Sequence, residues 1–408
     1  MNNIEQKLKS NSLNKRIDAL FDAFEFGDEG IRLIIPVLQD KDNQVREAAL
    51  LLLSESKSQI AKQAISNYSL SQIKHLHTVK KIEVDTQILP SYFAIADFNQ
   101  KLVCYWELDY KRAFVQLWDL KTGKSENHSD LGTHWLKIGN QGKICIVNFQ
   151  DDFRFLNLYD NYVDKYYSPK NKYIRDINMC NSFVLCPGTK KLAASGISDS
   201  GSSRELKVVD YKNNRCIFIY KIERGLYLCE GYFVYNRWKE EVRQQAKWLH
   251  DTSALFFTPD DRFLISNFIQ GFPTRSNLIR IWHIETGDLI KTVDNLPLLA
   301  ITSLGINFDD KIIACGIRED RICVWELLND SIICTFDEIA PCILTNDGRV
   351  LIYATHNYEI IIRDLIHNKT INTLQGHMAS IIHLSMSRDE QFIASYDENN
   401  TIKIWGIT

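Results

Sequence analysis

The sequence predicts a mainly β chain: seven small four-stranded sheets set radially, with a small α-helical domain ahead of them. Three observations carry that expectation. A short phrase ending an apolar run recurs seven times: Leu117-Trp118-Asp119, Leu158-Tyr159-Asp160, Val208-Val209-Asp210, Ile281-Trp282-His283, Val324-Trp325-Glu326, Ile362-Arg363-Asp364 and Ile404-Trp405-Gly406. From Trp118 onward the copies stand 41, 50, 73, 43, 38 and 42 residues apart, and a period near 40 marks a repeat architecture. Apolar residues keep a helical period up to residue 72, then fall in short strand-like runs broken by Asp, Asn, Gly and Lys.

In residues 1–72, Val45, Ala48, Ala49, Leu52 and Leu53 share one helix face, and Ile31, Ile34, Ile35 and Leu38 share another. Asp40-Lys41-Asp42-Asn43 is the turn between them, with Asn43 the expected N-cap. Pro36 should end or kink the first of these helices. An earlier copy precedes them, in which Arg16 stands 30 residues before Arg46. The run Leu38-Gln39-Asp40-Lys41-Asp42-Asn43-Gln44-Val45-Arg46-Glu47-Ala48-Ala49 resembles a HEAT-like repeat. The resemblance covers two repeats and a trailing helix, Lys57 to Asn67. Fewer than three repeats rarely stand alone, so the domain is expected to dock on its neighbour. It either caps the edge of the repeat array or exposes one helix face to a partner.

Residues 73–408 read as strands. Ser380 to Met386, Gln391 to Tyr396 and Thr401 to Trp405 are three in succession, joined by polar turns. Fourth strands follow turns such as Lys121-Thr122-Gly123-Lys124 and Glu285-Thr286-Gly287-Asp288, where Gly supplies positive φ. Gln375-Gly376-His377, then Phe392-Ile393-Ala394-Ser395, then Thr401-Ile402-Lys403-Ile404-Trp405 resembles a WD-repeat blade. Thr258 to Ser266 with Ile279-Arg280-Ile281-Trp282 resembles another, and the likeness runs from Ile82 to Thr408. It implies a seven-bladed β-propeller. In that family a His, a Ser, an Asp and the Trp form a buried structural network within a blade. Here His377, Ser395 and Trp405 match, and Asn399 stands where Asp is usual. The combination of HEAT-like start and WD-repeat body resembles a group of bacterial proteins.

The last unit stops after its third strand. Leu76 to Val84 alternates, so residues 73–85 are expected to supply the missing outer strand and close the ring.

Three connections are long: Ser198 to Ser203, Arg224 to His250 and Gln270 to Asn277. With strands a to d running up and down, all three fall on one face, over units three and four. Residues 224–250 hold six aromatics, 22% against 11% for the chain. Trp238, Val242, Ala246 and Leu249 mark a short amphipathic helix there, with Asn236 as its N-cap. Long loops and Trp, Tyr and Arg side chains are common at interfaces. The candidate partner-binding residues are Tyr232, Tyr235, Arg237, Trp238, Lys239, Arg243, Lys247, Phe272 and Arg275. The competing reading folds the aromatic stripe down to cap its own ring; both hold if the stripe packs inward while Arg237, Lys239, Arg243 and Lys247 face a ligand.

Other functions find less support. The net charge is −3; residues 1–72 carry 9 basic against 10 acidic residues and the rest 39 against 41, so nucleic acid is not expected. No apolar run suits a signal peptide or a membrane span, which reads as a cytoplasmic protein. Ten cysteines without CxxC read as reduced core residues. Gly123-Lys124-Ser125 lacks the first Gly of a phosphate loop, and His75 and His77 lack a third metal ligand. No cofactor is expected. The expected inner strands, Leu89–Ala96, Thr133–Ile138, Asn181–Cys186, Ser253–Thr258, Ile301–Ile306, Pro341–Thr345 and Ser380–Met386, contain no Asp or Glu. Only His134 and His383 there suit acid–base chemistry. The expectation is a non-catalytic scaffold or adaptor that binds a protein. The alternative is a propeller that binds, or hydrolyses, a small ligand or glycan with loop residues; paired carboxylates 5–10 Å apart at the channel mouth would mark it.

Overall fold

The computed structural model describes residues 2–56, 58–84, 90, 92–96, 101–109, 112–120, 122–129, 133–138, 143–148, 153–157, 178–186, 191–197, 204–210, 213, 215–223, 226–228, 254–270, 277–296, 299–307, 309–318 and 321–406. They form two compact units, Met1–His75 and Leu76–Thr408.

The first unit has helices Asn2–Leu8, Leu13–Phe24, Gly27–Ile34, Asn43–Glu55 and Gln59–Ile73. Pro36 ends the third helix, which tightens into a 3-10 turn over Ile35–Gln39. The N-cap of Asn43–Glu55 is Asp42, whose side chain accepts from Gln44 N at 3.0 Å; Asn43 is the first helical residue. This corrects the sequence expectation by one position. Asp wins because its own backbone is extended, as a capping side chain requires. The internal copy is visible in bonding: Arg16 Nη1 donates to Ser10 O at 2.9 Å, and Arg46 Nη1 donates to Asp40 O at 2.7 Å. Each arginine thus reaches the carbonyl six residues before it. Arg16 also pairs with the Asp40 carboxylate at 3.1 Å. No described helix is long and apolar enough to cross a membrane.

The second unit holds seven antiparallel sheets among the described residues. Sheet one is Tyr92–Ala96, Lys101–Asp109, Arg112–Asp119 and Ser125–Ser129; sheet two is Thr133–Ile138, Lys143–Asn148 and Phe153–Asn157. Sheet three is Asn178–Leu185, Lys191–Ile197, Arg204–Asp210 and Arg215–Ile222. Sheet four has a first strand in two pieces, Leu226–Leu228 and Leu255–Phe257, followed by Phe263–Gln270, Asn277–His283 and Leu289–Leu296. Sheet five is Leu299–Ile306, Ile312–Arg318, Arg321–Glu326 and Ser331–Phe336; sheet six is Cys342–Leu344, Val350–Ala354, Ile360–Asp364 and Lys369–Leu374. Sheet seven takes Ile381–Met386, Phe392–Asp397 and Thr401–Gly406 from the end of the chain and His77–Glu83 from near its beginning.

The first strands adjoin in cyclic order: sheet one meets two, and so on to seven, which meets one. Burial follows from this. Second strands are covered on both faces, as in Ile312–Ile317, while outer strands such as Ser331–Phe336 stay largely exposed. The cores therefore lie between sheets. One cluster joins Trp106 and Trp118 of sheet one to Tyr396, Ile402 and Ile404 of sheet seven, with Val79 and Ile82 packed against it. Covering both faces explains why Leu102 to Trp106 is apolar without alternation.

Closure is specific. His77↔Gly406 through Glu83↔Thr401 are paired, with a register shift between Thr78 and Lys80. On the inner side, Ile95 N donates to Ser385 Oγ at 2.9 Å and His383 Nε2 lies 3.0 Å from Pro90 O. Deleting residues 73–85 should remove roughly 3–6 kcal/mol through Val79, Ile82 and Val84 alone. That lowers the melting temperature by on the order of 10 °C. Replacing Trp405, 1% exposed, by Ala should cost about 3–5 kcal/mol. Thermal denaturation checks both; a truncated chain that melts with its parent contradicts closure by this strand.

Candidate functional site

The turns between first and second strands of sheets four, six and seven share one design. The Thr258, Thr345 and Ser387 hydroxyls each donate to the Asp two residues on (Asp260, Asp347, Asp389) at 2.6 Å. They accept from the N–H groups of Phe263, Val350 and Phe392 at 3.1, 3.0 and 2.9 Å. The residue after each Asp turns with positive φ: Asp261, Gly348 and Glu390, at 60°, 66° and 59°. Neighbouring turns are tied together. Arg262 Nη2 meets Asp310 Oδ1 at 2.7 Å, Ile306 N donates to Asn346 O at 2.8 Å, and Asn346 N donates to Glu390 Oε1 at 2.7 Å. Sheets four to seven are thus belted along this rim by bonds within the unit.

The inner strands are similarly engaged. Thr302 donates to Cys342 O at 2.8 Å and Leu344 N donates to Ser303 Oγ at 3.1 Å, both across sheets five and six. His383, besides its Pro90 bond, stacks on Phe93 at 5.9 Å. The side chain of His134 is not among those described. The described first strands contain no Asp or Glu. Among the described residues no group of three or more His, Cys, Asp or Glu could hold a metal ion. Gly123-Lys124-Ser125 leads into a strand, Ser125–Ser129, not a helix.

Ser395, His377 and Asp397 have the composition of a nucleophilic triad, but their environment assigns them to the core. His377 Nδ1 lies 2.6 Å from Asp397 Oδ2, and Nε2 lies 2.6 Å from Ser395 Oγ. Trp405 Nε1 donates to the same Oγ at 2.8 Å. Ser395 and Asp397 are 0% and 1% exposed, so no substrate reaches the hydroxyl. The carboxylate is Asp397, not a group at position 399. Asp397 heads the turn: one oxygen accepts from Asn399 N and Thr401 N at 3.0 and 2.9 Å, leaving the other for His377.

Sheet four keeps half of this network, with Trp282 Nε1 donating to Ser266 Oγ at 2.9 Å. In sheet five the equivalent position is Gly316, two residues beyond Ala314, which pairs with Trp325. Ser266 and Ser395 hold the same place relative to Leu264 and Ile393. Trp325 Nε1 is accordingly buried without a partner among the described residues.

All nine sequence-assigned residues, Tyr232, Tyr235, Arg237, Trp238, Lys239, Arg243, Lys247, Phe272 and Arg275, lie outside the described residues, as do 198–203 and Asn236. Their flanks are described. Ile197 and Arg204, and Gln270 and Asn277, end and begin the second and third strands of sheets three and four, away from the belted turns. The aromatic excursion is not a connection from sheet three to sheet four, as its start at Arg224 implied. Leu226–Leu228 pairs with Phe268–Gln270 and Leu255–Phe257 pairs with Leu264–Ser266, so the excursion opens inside the first strand of sheet four. Three residues were too few for the sequence pattern to register as a strand. Both roots are fixed: Leu226, Leu228, Ala254 and Leu255 are buried in the cluster between sheets three and four. Nearby, Arg280 is buried, pairs with Glu223 at 2.9 Å and lies over the Tyr220 ring at 4.8 Å. Burial lowers its guanidinium from the ordinary range. Only its place at a repeat position in the third strand could have singled it out.

Comparison with known proteins agrees with this geometry. Residues 368–406, which span most of sheet seven, match the family model described as WD domain, G-beta repeat. A WD repeat-containing protein 26 homolog from Arabidopsis thaliana is 24% identical over 158 residues, 38% of this chain and 25% of that protein. The chain thus spans about a quarter of the length of the curated relative it matches. A chain in the crystal structure of the Mitotic Checkpoint Complex shares the fold, with a TM-score of 0.51 and 10% identity over 81% of this chain and 92% of that one. One stretch of the chain is thus similar to a WD repeat, and the fold is similar to that of a solved chain.

Gly316→Ser should give Trp325 an acceptor and reduce the freedom of the unfolded chain, adding about 1 kcal/mol of stability. Ser395→Ala should cost about 1–3 kcal/mol by stranding Trp405 and His377. Paired melting curves decide; a Gly316→Ser chain no more stable than its parent breaks the equivalence between these sheets.

Proposed function

We propose that the chain is a non-catalytic protein-interaction scaffold: a seven-bladed propeller carrying a HEAT-like helical domain over 1–72, of the bacterial type, working in the cytoplasm. WD-repeat proteins generally act as interaction scaffolds, and the matched family model supports that class here. The partner sits on the rim that carries 198–203 and 271–276, over sheets three and four. Tyr232, Tyr235, Trp238 and Phe272 supply aromatic anchors, and Arg237, Lys239, Arg243, Lys247 and Arg275 supply charge.

One observation carries this reading: a 25-residue excursion, 229–253, leaves and rejoins the first strand of sheet four at two buried roots. Fixed roots let an insertion present side chains without loosening the sheet beneath. Replacing 229–253 by a short Gly-Ser link, with folding verified by circular dichroism, should abolish capture of the main partner from native lysate. An unchanged set of captured proteins removes the assignment of this rim.

A further inference from the structure

Cys315 and Cys342 belong to different sheets, yet their sulfurs share one environment. Both side chains are fully enclosed, 0% and 1% exposed, in the apolar cluster between sheets five and six. The strands that carry them, Ile312–Arg318 and Cys342–Leu344, lie against each other. The Thr302 hydroxyl stands 3.1 Å from Cys342 Sγ and 3.5 Å from Cys315 Sγ while donating to Cys342 O. Cys323 and Cys334 occupy other strands of sheet five, and all four are free thiols in this structure.

We propose that Cys315 and Cys342 are a disulfide-forming pair, which covalently staples sheet five to sheet six when the chain meets a small-molecule disulfide such as glutathione disulfide. One cysteine thiolate attacks the small disulfide, forming a mixed disulfide and releasing one glutathione thiolate. The second cysteine thiolate then displaces the other glutathione. Two protein thiols lose two protons and two electrons, and the oxidant ends as two glutathione thiols. Burial holds the Cys315 thiol well above its ordinary range, so the closed core is unreactive and exchange proceeds during folding or when the two sheets part. Once formed, the bond is shielded from reductant by the same burial.

The test refolds the full chain from denaturant in a reduced and oxidised glutathione buffer. Free thiols are then alkylated, and the protein is digested without reductant for mass spectrometry. One peptide pair joined through Cys315 and Cys342 is expected, with an intact mass about 2 Da below the reduced chain. The melting temperature should rise by several degrees and fall back after unfolding with dithiothreitol. Cys315→Ala and Cys342→Ala should abolish the cross-link, and Cys334→Ala should keep it. If a variant fails to fold, the peptide map of the unaltered chain decides. Complete alkylation of all cysteines after refolding, or cross-links to Cys323 or Cys334 instead, overturns the proposal.

Discussion

Apolar burial in the β unit lies between sheets, so each sheet depends on two neighbours and the series depends on joining its ends. A single four-stranded sheet with both faces apolar has no stable solvent-facing side. Stacking the sheets face to face removes that problem everywhere except at the first and last. Trp106, Tyr396 and Trp405, among the largest fully buried side chains, sit at or beside that junction. His77–Glu83 closes it from outside, and the Ile95–Ser385 and His383–Pro90 contacts close it from inside. The chain's end is therefore held by residues nearly its whole length away, a non-local arrangement of the kind that slows folding.

The sheets were legible wherever turn chemistry and apolar runs agreed. Thr133–Ile138 coincides with its expected span, and Ile381–Met386 and Cys342–Leu344 fall inside theirs. What the sequence concealed depends on partners far along the chain or on exact turn geometry. Asp397 and Asn399 are equally plausible by composition; only the turn decides which carboxylate faces His377. Leu226–Leu228 becomes a strand because Phe268–Gln270 is there to pair with it, not through any propensity of three residues. Arg262 reads as an ordinary turn residue until Asp310 of the next sheet is placed beside it. The nine assigned binding residues were chosen by aromatic density and loop length, and their assignment still rests on those two features.

The two rims differ in kind. On the belted rim, buried or partly buried polar groups are already partnered by neighbouring turns. Glu390 illustrates the balance: an L-residue at φ 59° is strained relative to Gly, yet its carboxylate bonds to Asn346 of the next sheet. Variation there would disturb several sheets at once. At the opposite ends of the strands, Ile197 and Arg204 in sheet three and Gln270 and Asn277 in sheet four flank the longer connections.

The position of the largest insertion follows from the same accounting of backbone bonds. A second or third strand pairs on both sides, so an interruption breaks two ladders. A first strand pairs on one side only, and an interruption breaks one. Sheet four loses little even of that, because Ala254 O accepts from Asn267 N at 2.8 Å directly beside the break. The two halves, Leu226–Leu228 and Leu255–Phe257, thus remain on consecutive stretches of the same neighbour. Packing from Leu206 and Val208 of sheet three covers them in the shared cluster. The break between Leu228 and Leu255 thus falls opposite Asn267, midway along Phe263–Gln270, and the ladder is kept on either side of it.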